Sequence, residues 1–164
     1  MDYVIRDVTD DDVDAIVALS LRAWEPVYQS VEQVLGGELN SLLHGGDWKV
    51  YQENQVRQVL RREDMHTWVA DADGRVVGFV SAVAVDLQRR IGEVAMVAVD
   101  PEAQQRGVGT ALTLVATEWL RQEGMAVAFI STGGDAGHSA ARRLYTNIGY
   151  TPFPSIQYFM SLEP

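Results

Sequence analysis

Residues 97–112, VAVDPEAQQRGVGTAL, constrain this chain more than any other stretch. An apolar run of strand character ends at Asp100-Pro101. A short polar loop follows, and Gly107-Val108-Gly109 then opens onto helical spacing. A strand that passes through such a loop into a helix aims backbone N–H groups at one place. With the dipole of the helix behind them, those groups can grip an anion. A glycine pair is also common turn punctuation, so the pattern alone leaves both readings open. Two phosphate-binding patterns are excluded. A P-loop ends in Gly-Lys-Ser/Thr, whereas Gly109 is followed by Thr110-Ala111. A dinucleotide fingerprint needs a third glycine where this chain has Leu112.

The chain on either side alternates strands and helices. Residues 3–8 alternate as a strand, and Thr9 is placed as an N-cap with Asp10, Asp11 and Asp12 in the first turn. Val13, Ile16, Val17, Ser20 and Trp24 follow helical spacing, and Pro26 is expected to end that helix. Residues 31–43 predict a weaker helix interrupted by Gly36-Gly37, and Asp47 caps a third helix bearing Trp48, Tyr51, Val56, Val59 and Leu60. The period then changes to that of strands over 66–70, 75–85 and 91–99, joined by the Asp73-Gly74 turn and by residues 86–90. The helix opened by Gly107 stops at Gly124, and residues 125–130 form another strand. A last helix follows Gly133-Gly134-Asp135, with Ala141, Leu144, Tyr145 and Ile148 as its stripe and Gly149 as its end. Residues 150–153 and 156–160 are expected as two closing strands. No repeat or linker interrupts the 164 residues, so one domain spans 1–164. The order of elements predicts a single-domain α/β fold with a mixed, mainly antiparallel sheet and helices on both faces.

Composition narrows the functional classes. The net charge of −10 disfavours nucleic acid and anionic membranes, and suits solubility or a cationic partner. The acidic start, MDYVIRDVTDDD, does not resemble a signal peptide, which predicts a cytoplasmic location. No apolar run approaches the roughly 20 residues that span a bilayer. The absence of cysteine removes disulfides, thiolate metal sites and cysteine nucleophiles together. His44, His66 and His138 lack metal-ligand spacing, so no metal is expected.

Two blocks carry a family resemblance. Gln104-Gln105-Arg106-Gly107-Val108-Gly109 resembles the Gln/Arg-x-x-Gly-x-Gly/Ala motif of the GNAT N-acetyltransferases, and it follows a strand ending in Val-Asp-Pro as in that family. Residues 139–150, SAARRLYTNIGY, are similar to the family's A-x-x-L-Y-x-x-x-G-F segment. The resemblance extends over residues 66–153 and fits the first strand and helix loosely. Residues 25–65, where the family varies with its acceptor, carry no motif. It implies acetyl-CoA as the donor and direct transfer to a primary amine of a small molecule or peptide. The backbone of Val97, Ala98 and Val99 is expected to pair with the pantetheine, and Gln104 belongs to the same cofactor loop. The amides of Gln105, Arg106, Gly107, Val108, Gly109 and Thr110 are expected to hold the pyrophosphate. Alanine at Gly107 or Gly109 is expected to block that approach.

The reacting groups have competing readings. Tyr145 lies on an apolar stripe and by pattern is a core aromatic, while the resemblance implies the general acid. Glu93 is the only acid inside the 91–99 strand. Simple alternation places it on one face with Ala95, Val97 and Val99, as a base or as a solvated strand end. Glu25 is the alternative base or amine anchor, and Trp24 beside it is a candidate substrate contact. His138 stands where many relatives carry Asn and is either a cofactor contact or a helix-start residue. Arg106, Arg142 and Arg143 are candidates for CoA phosphates, and adjacent arginines on a helix point about 100° apart. The rival function is a non-catalytic acyl-CoA sensor of the same fold, and a bare interaction domain is a further one. An exposed Trp24, Trp48 or Trp68 would mark a homodimer face.

Overall fold

A computed structural model describes residues 2–163. Five strands form one sheet in sequence order: β1 Val4–Asp7, β2 Met65–Ala72, β3 Arg75–Asp86, β4 Ile91–Val99 and β5 Val127–Phe129. β1 to β4 pair antiparallel, while β5 joins β4 in parallel. Five helices accompany them: α1 Val13–Leu35, α2 Gly37–Leu43, α3 Trp48–Leu60, α4 Val108–Gln122 and α5 Ser139–Asn147.

Both faces of the sheet are covered. On one, Val77, Val80, Ala82 and Val94 pack against Val108, Leu112, Ala116 and Leu120 of α4. Gly92 lets α4 sit close, since a Cβ there would lie 2.4 Å from Leu120 Cδ2. On the other, Val69, Phe79 and Ala98 pack against Ile16, Val17 and Leu19 of α1 and Val56 of α3. β3 is apolar in both directions because it is buried from Val76 to Val83.

Local signals set most of the ends. Asp73 (φ 53°) and Gly74 (φ 84°) make the β2–β3 turn in the left-handed region that such hairpins require. The Asp47 carboxylate accepts from Lys49 N–H at 2.8 Å and starts α3. Asp12 closes the first turn by accepting from the N–H and hydroxyl of Thr9, and it is clamped by Arg6 at 2.7 and 2.9 Å.

Three expectations are corrected. Pro26 does not end the first helix, which continues to Leu35. The proline lies on an exposed turn, where the carbonyl it leaves without a partner can meet water, and buried Tyr28 and Ser30 hold the next turn in place. The helix expected over 31–43 is therefore divided: its first part belongs to α1, and α2 starts after Gly36 at φ 81°. The closing strands over 150–153 and 156–160 are not formed. Among the described residues no strand follows β5, and every residue from 151 to 160 is exposed. Alternation makes a strand only beside an edge that accepts it, and Pro152 and Pro154 remove two of the N–H donors that pairing would use.

Candidate active site

β5 is shorter than the strand expected over 125–130, and this shapes the site. It pairs with β4 only through Ile91–Val127, Gly92–Ala128 and Glu93–Phe129. Among the described residues, no strand pairs with β4 beyond Glu93 on the side away from β3, so the backbone of Val97, Ala98 and Val99 is left without a strand partner there. That edge leads into the loop that starts α4.

That loop is held from below. The Asp100 side chain is 1% exposed. It accepts from Arg22 Nη2 of α1 at 2.5 Å and from Glu102 N–H at 3.1 Å. Burial opposes its ionisation, but the Arg22 hydrogen bond and the Glu102 amide outweigh burial and keep the carboxyl below its ordinary pKa. Gln104 Nε2 donates to the Val99 carbonyl at 3.1 Å, which folds its side chain back onto the strand. Gln105 (φ 59°) and Gly107 (φ 83°) take left-handed conformations that turn the chain into α4. The Ala111 N–H donates to Gly107 C=O at 3.0 Å, so the N–H groups of Val108, Gly109 and Thr110 precede the helix's own ladder. Gln105, Arg106 and Gly107 are exposed.

The two glycines do different work. A Cβ on Gly107 would meet nothing within 4 Å, so this position needs glycine for its backbone angle. A Cβ on Gly109 would lie 2.9 Å from Leu144 Cδ1, so this position makes room for α5. The start of α4 and the residue before Tyr145 are thereby brought together.

Tyr145 is half-buried on α5. Burial, and secondarily the neighbouring Tyr150, push its hydroxyl up to about 12. The Tyr150 ring lies 6.4 Å away, its N–H donates to Tyr145 C=O at 3.0 Å, and its hydroxyl meets Thr117 Oγ1 at 2.7 Å.

Glu93 sits at the fork where β4 and β5 part. The expected face is corrected by a β-bulge: Ala82 pairs with Val94 but Ser81 pairs with Met96, leaving Ala95 as the extra residue. The bulge breaks the alternation, so Val94, Val97 and Val99 pack toward α4, while Met96 and Ala98 pack toward α1 and α3. Glu93, one residue before Val94, belongs to the α1 side rather than with Val97 and Val99. The Arg62 guanidinium, raised chiefly by its hydrogen bond to Asp64, also feels the Glu93 charge. Trp24 is half-buried against the core on that side, and Glu25 beside it is exposed.

His138 is tied up locally. Its Nδ1 lies 2.5 Å from Asp135 Oδ1, and it forms the cap position of α5. Gly137 N–H donates to Ser30 Oγ of α1 at 2.9 Å, which docks the start of α5 on the helix that Pro26 failed to end. Arg142 donates to the carbonyls of Gly133 and Asp135 at 2.6 and 2.7 Å and so braces the same loop. Arg106 and Arg143 remain exposed. The tryptophans mark no exposed face: Trp68 is 8% exposed, and Trp48 is half-buried, stacked on Tyr28 at 4.5 Å.

Sequence reading missed the Arg22–Asp100 and Ser30–Gly137 links, because partners 78 and 107 positions apart leave no local signature. It also missed a polar cavity of about 200 Å³ bordered by Glu32, Asn40, Ser41, His44 and Trp48.

Residues 24–150 match the family model described as "Acetyltransferase (GNAT) family". The chain belongs to the GNAT acetyltransferase family. A mycothiol acetyltransferase of Saccharomonospora viridis is 32% identical over 127 residues, covering 68% of this chain and 41% of the relative. An uncharacterized N-acetyltransferase of Methanocaldococcus jannaschii is 24% identical over 157 residues, covering 90% of this chain and 60% of the relative. The chain thus spans less than two thirds of the length of these curated relatives. The fold is similar to that of the PaiA N-acetyltransferase of Thermoplasma acidophilum in complex with coenzyme A, with a TM-score of 0.67 at 17% identity over 92% of this chain and 91% of that one. It is also similar to the aminoglycoside N-acetyltransferase AAC(6')-Iy in complex with CoA, with a TM-score of 0.62 at 15% identity over 98% and 95%. Among the described residues of this GNAT domain, no helix is long and apolar enough to cross a membrane, and no group of three or more His, Cys, Asp or Glu is placed to hold a metal.

Proposed function

We propose that this domain is an acetyl-CoA-dependent N-acetyltransferase that passes the acetyl group directly to a primary amine of a small molecule or peptide. The observation that carries the reading is the open edge of β4 running into amides at the start of α4, with Tyr145 on the helix packed beside them. An unpaired strand edge suits an amide-bearing chain such as pantetheine, and helix-start amides suit a pyrophosphate. Relatives named N-acetyltransferases and fold neighbours in complex with CoA support the same donor.

Val97, Ala98 and Val99 would hold the pantetheine by their backbone, and the amides from Gln105 to Thr110 would hold the pyrophosphate. Exposed Arg106 and Arg143 are free to meet phosphates, whereas Arg142 and His138 serve the loop before α5. Bound acetyl-CoA supplies an acetyl thioester. Tyr145 keeps its proton at every physiological pH and gives it to the departing thiolate sulfur as the C–S bond breaks. Glu93 takes one proton from the incoming ammonium, whose freed lone pair forms the new C–N bond, and the second proton that the nitrogen sheds as the amide forms restores the Tyr145 phenol. Trp24 and Glu25 border the acceptor side with Glu93. The acidic chain favours a cationic acceptor.

The test is a CoA thermal shift followed by CoA-release assays on a panel of primary amines. A saturating ligand at 100 times Kd stabilises by about 2.7 kcal/mol, so a shift is expected. Binding without turnover on any amine would indicate the sensor, and no shift would remove the donor assignment.

A further inference from the structure

The polar cavity among α1, α2 and α3 has no part in the proposed acetyl transfer. It measures about 200 Å³ and is bordered by Glu32, Asn40, Ser41, His44 and Trp48. A cavity of about 150 Å³ holds a benzene-sized guest, so this one has room for a small ligand and not only for a water.

Its polar groups are mainly acceptors. Glu32 brings an exposed carboxylate. Asn40 is 8% exposed, and among the described residues its buried Oδ1 has no hydrogen-bond partner. A buried acceptor left unpaired destabilises the fold, so an N–H that a ligand brings to it is stabilising. His44 Nδ1 lies 2.8 Å from the Asn40 carbonyl. A carbonyl only accepts, so Nδ1 carries the hydrogen and the neutral ring keeps a lone pair on Nε2. Trp48 forms the apolar wall, held by Tyr28, which stacks on it at 4.5 Å and meets His44 edge-on at 4.8 Å. The surrounding charge has one sign: residues 31–54 hold Glu32, Glu38, Asp47 and Glu53 against Lys49. Lys49 is exposed, with its ammonium 5.7 Å from the Trp48 ring centroid.

We propose that this cavity is a second ligand site, which takes a small organic cation: an ammonium or guanidinium on a short alkyl stem. Its N–H groups meet the Glu32 carboxylate, Asn40 Oδ1 and His44 Nε2, and its stem lies along Trp48. The site is separate from the one that transfers acetyl. Each residue of a helix advances about 100°, so Tyr28 and Glu32 share one side of α1, while Ser30 points about 200° round from Tyr28. Ser30 receives the Gly137 N–H at the start of α5, and a Cβ on Gly137 would come within 3.0 Å of Val27 Cα. α1 therefore stands between the cavity and the helix that carries Tyr145. The same α1 carries Arg22, which holds Asp100 beneath the proposed donor loop. A cation bound among the three helices braces α1 from its other side.

Titration of the ¹⁵N-labelled full chain with butylguanidinium chloride tests this without turnover, because a guanidinium stays charged and does not attack a thioester. Saturable shifts are expected at the Trp48 indole N–H and the Asn40 side-chain amide, with a Kd of about 1 mM or tighter. Butanol, which has the stem without the charge, should produce none. Glu32→Gln, at an exposed position, should weaken binding by about tenfold or more with the fold intact. Asn40→Leu removes the unpaired acceptor, so it should weaken binding by a similar factor without lowering the melting temperature. Glu93→Gln should leave the Kd as it is. The absence of any saturable shift up to roughly 50 mM overturns the proposal. Equal affinity for butanol, or an unchanged Kd in Glu32→Gln, overturns it as well. So does a Kd that changes with Glu93→Gln, which would place the cation on the acceptor side of the transfer site.

Discussion

Residues 4–122 and 123–163 are built to different standards. The first region holds both hydrophobic clusters, and its strands and helices interlock on two faces of the sheet. Among the described residues, no side chain after Leu120 is buried, although the second region contains β5, α5 and the exposed segment 151–160. The proposed donor loop belongs to the first region and rests on buried Asp100. The proposed acid, Tyr145, belongs to the second and is anchored by a few contacts: Leu144 against Gly109, Ser30 on Gly137, and Thr117 on Tyr150. The proposed site thus spans a seam between a firmly packed donor side and a lightly anchored acid side.

The contrast can be broken most directly by core truncation. Phe79→Ala, at a fully buried position, should lower unfolding free energy by about 3–5 kcal/mol in denaturant titration. A loss below about 1 kcal/mol would mean that the first region is not the stable body. Next in size is Tyr145→Phe, which should reduce kcat by about 10²-fold, or roughly 2.7 kcal/mol of barrier, with CoA affinity retained. With kcat unchanged and chemistry rate-limiting, Tyr145 leaves the mechanism. Its raised pKa, about 12, also fixes a sign. In the proposed role the protonated form acts, so Tyr145 should cause no alkaline loss of kcat up to about pH 10.

Asp12 sharpens the stable side of the comparison. The Arg6 hydrogen bonds lower its carboxyl from 3.8 to about 2, against the penalty of burial. A depressed carboxylate stabilises the fold above its unfolded pKa and loses that contribution as pH falls through the folded one. Asp12→Asn should therefore cost about 1–2 kcal/mol near pH 6, allowing for solvent around half-exposed Arg6, and the difference should vanish as pH approaches 2. The smallest effect is expected on α5. Ile148→Ala should cost less than about 1 kcal/mol, because the side chain is only partly covered. A loss comparable to that of Phe79→Ala would place α5 inside the cooperative core.

What the sequence determined by itself is what short-range physics controls. The Asp73-Gly74 turn, the Asp47 cap, the left-handed Gly107 and Gly124, and the long apolar β3 are all written in neighbouring residues. So are the two motif blocks, whose spacing carried the family. Tertiary structure decided the rest, because the deciding partners lie far along the chain. Packing of Tyr28 and Ser30 carried α1 past Pro26, and Arg22 locked Asp100 from 78 positions away. One bulged residue, Ala95, separated Glu93 from the face that simple alternation assigns it. Residues 156–160 have the pattern of a strand and yet form none, because alternation specifies only which side would face inward. Pairing requires an edge, and which edge is within reach is a property of the folded molecule and its neighbours.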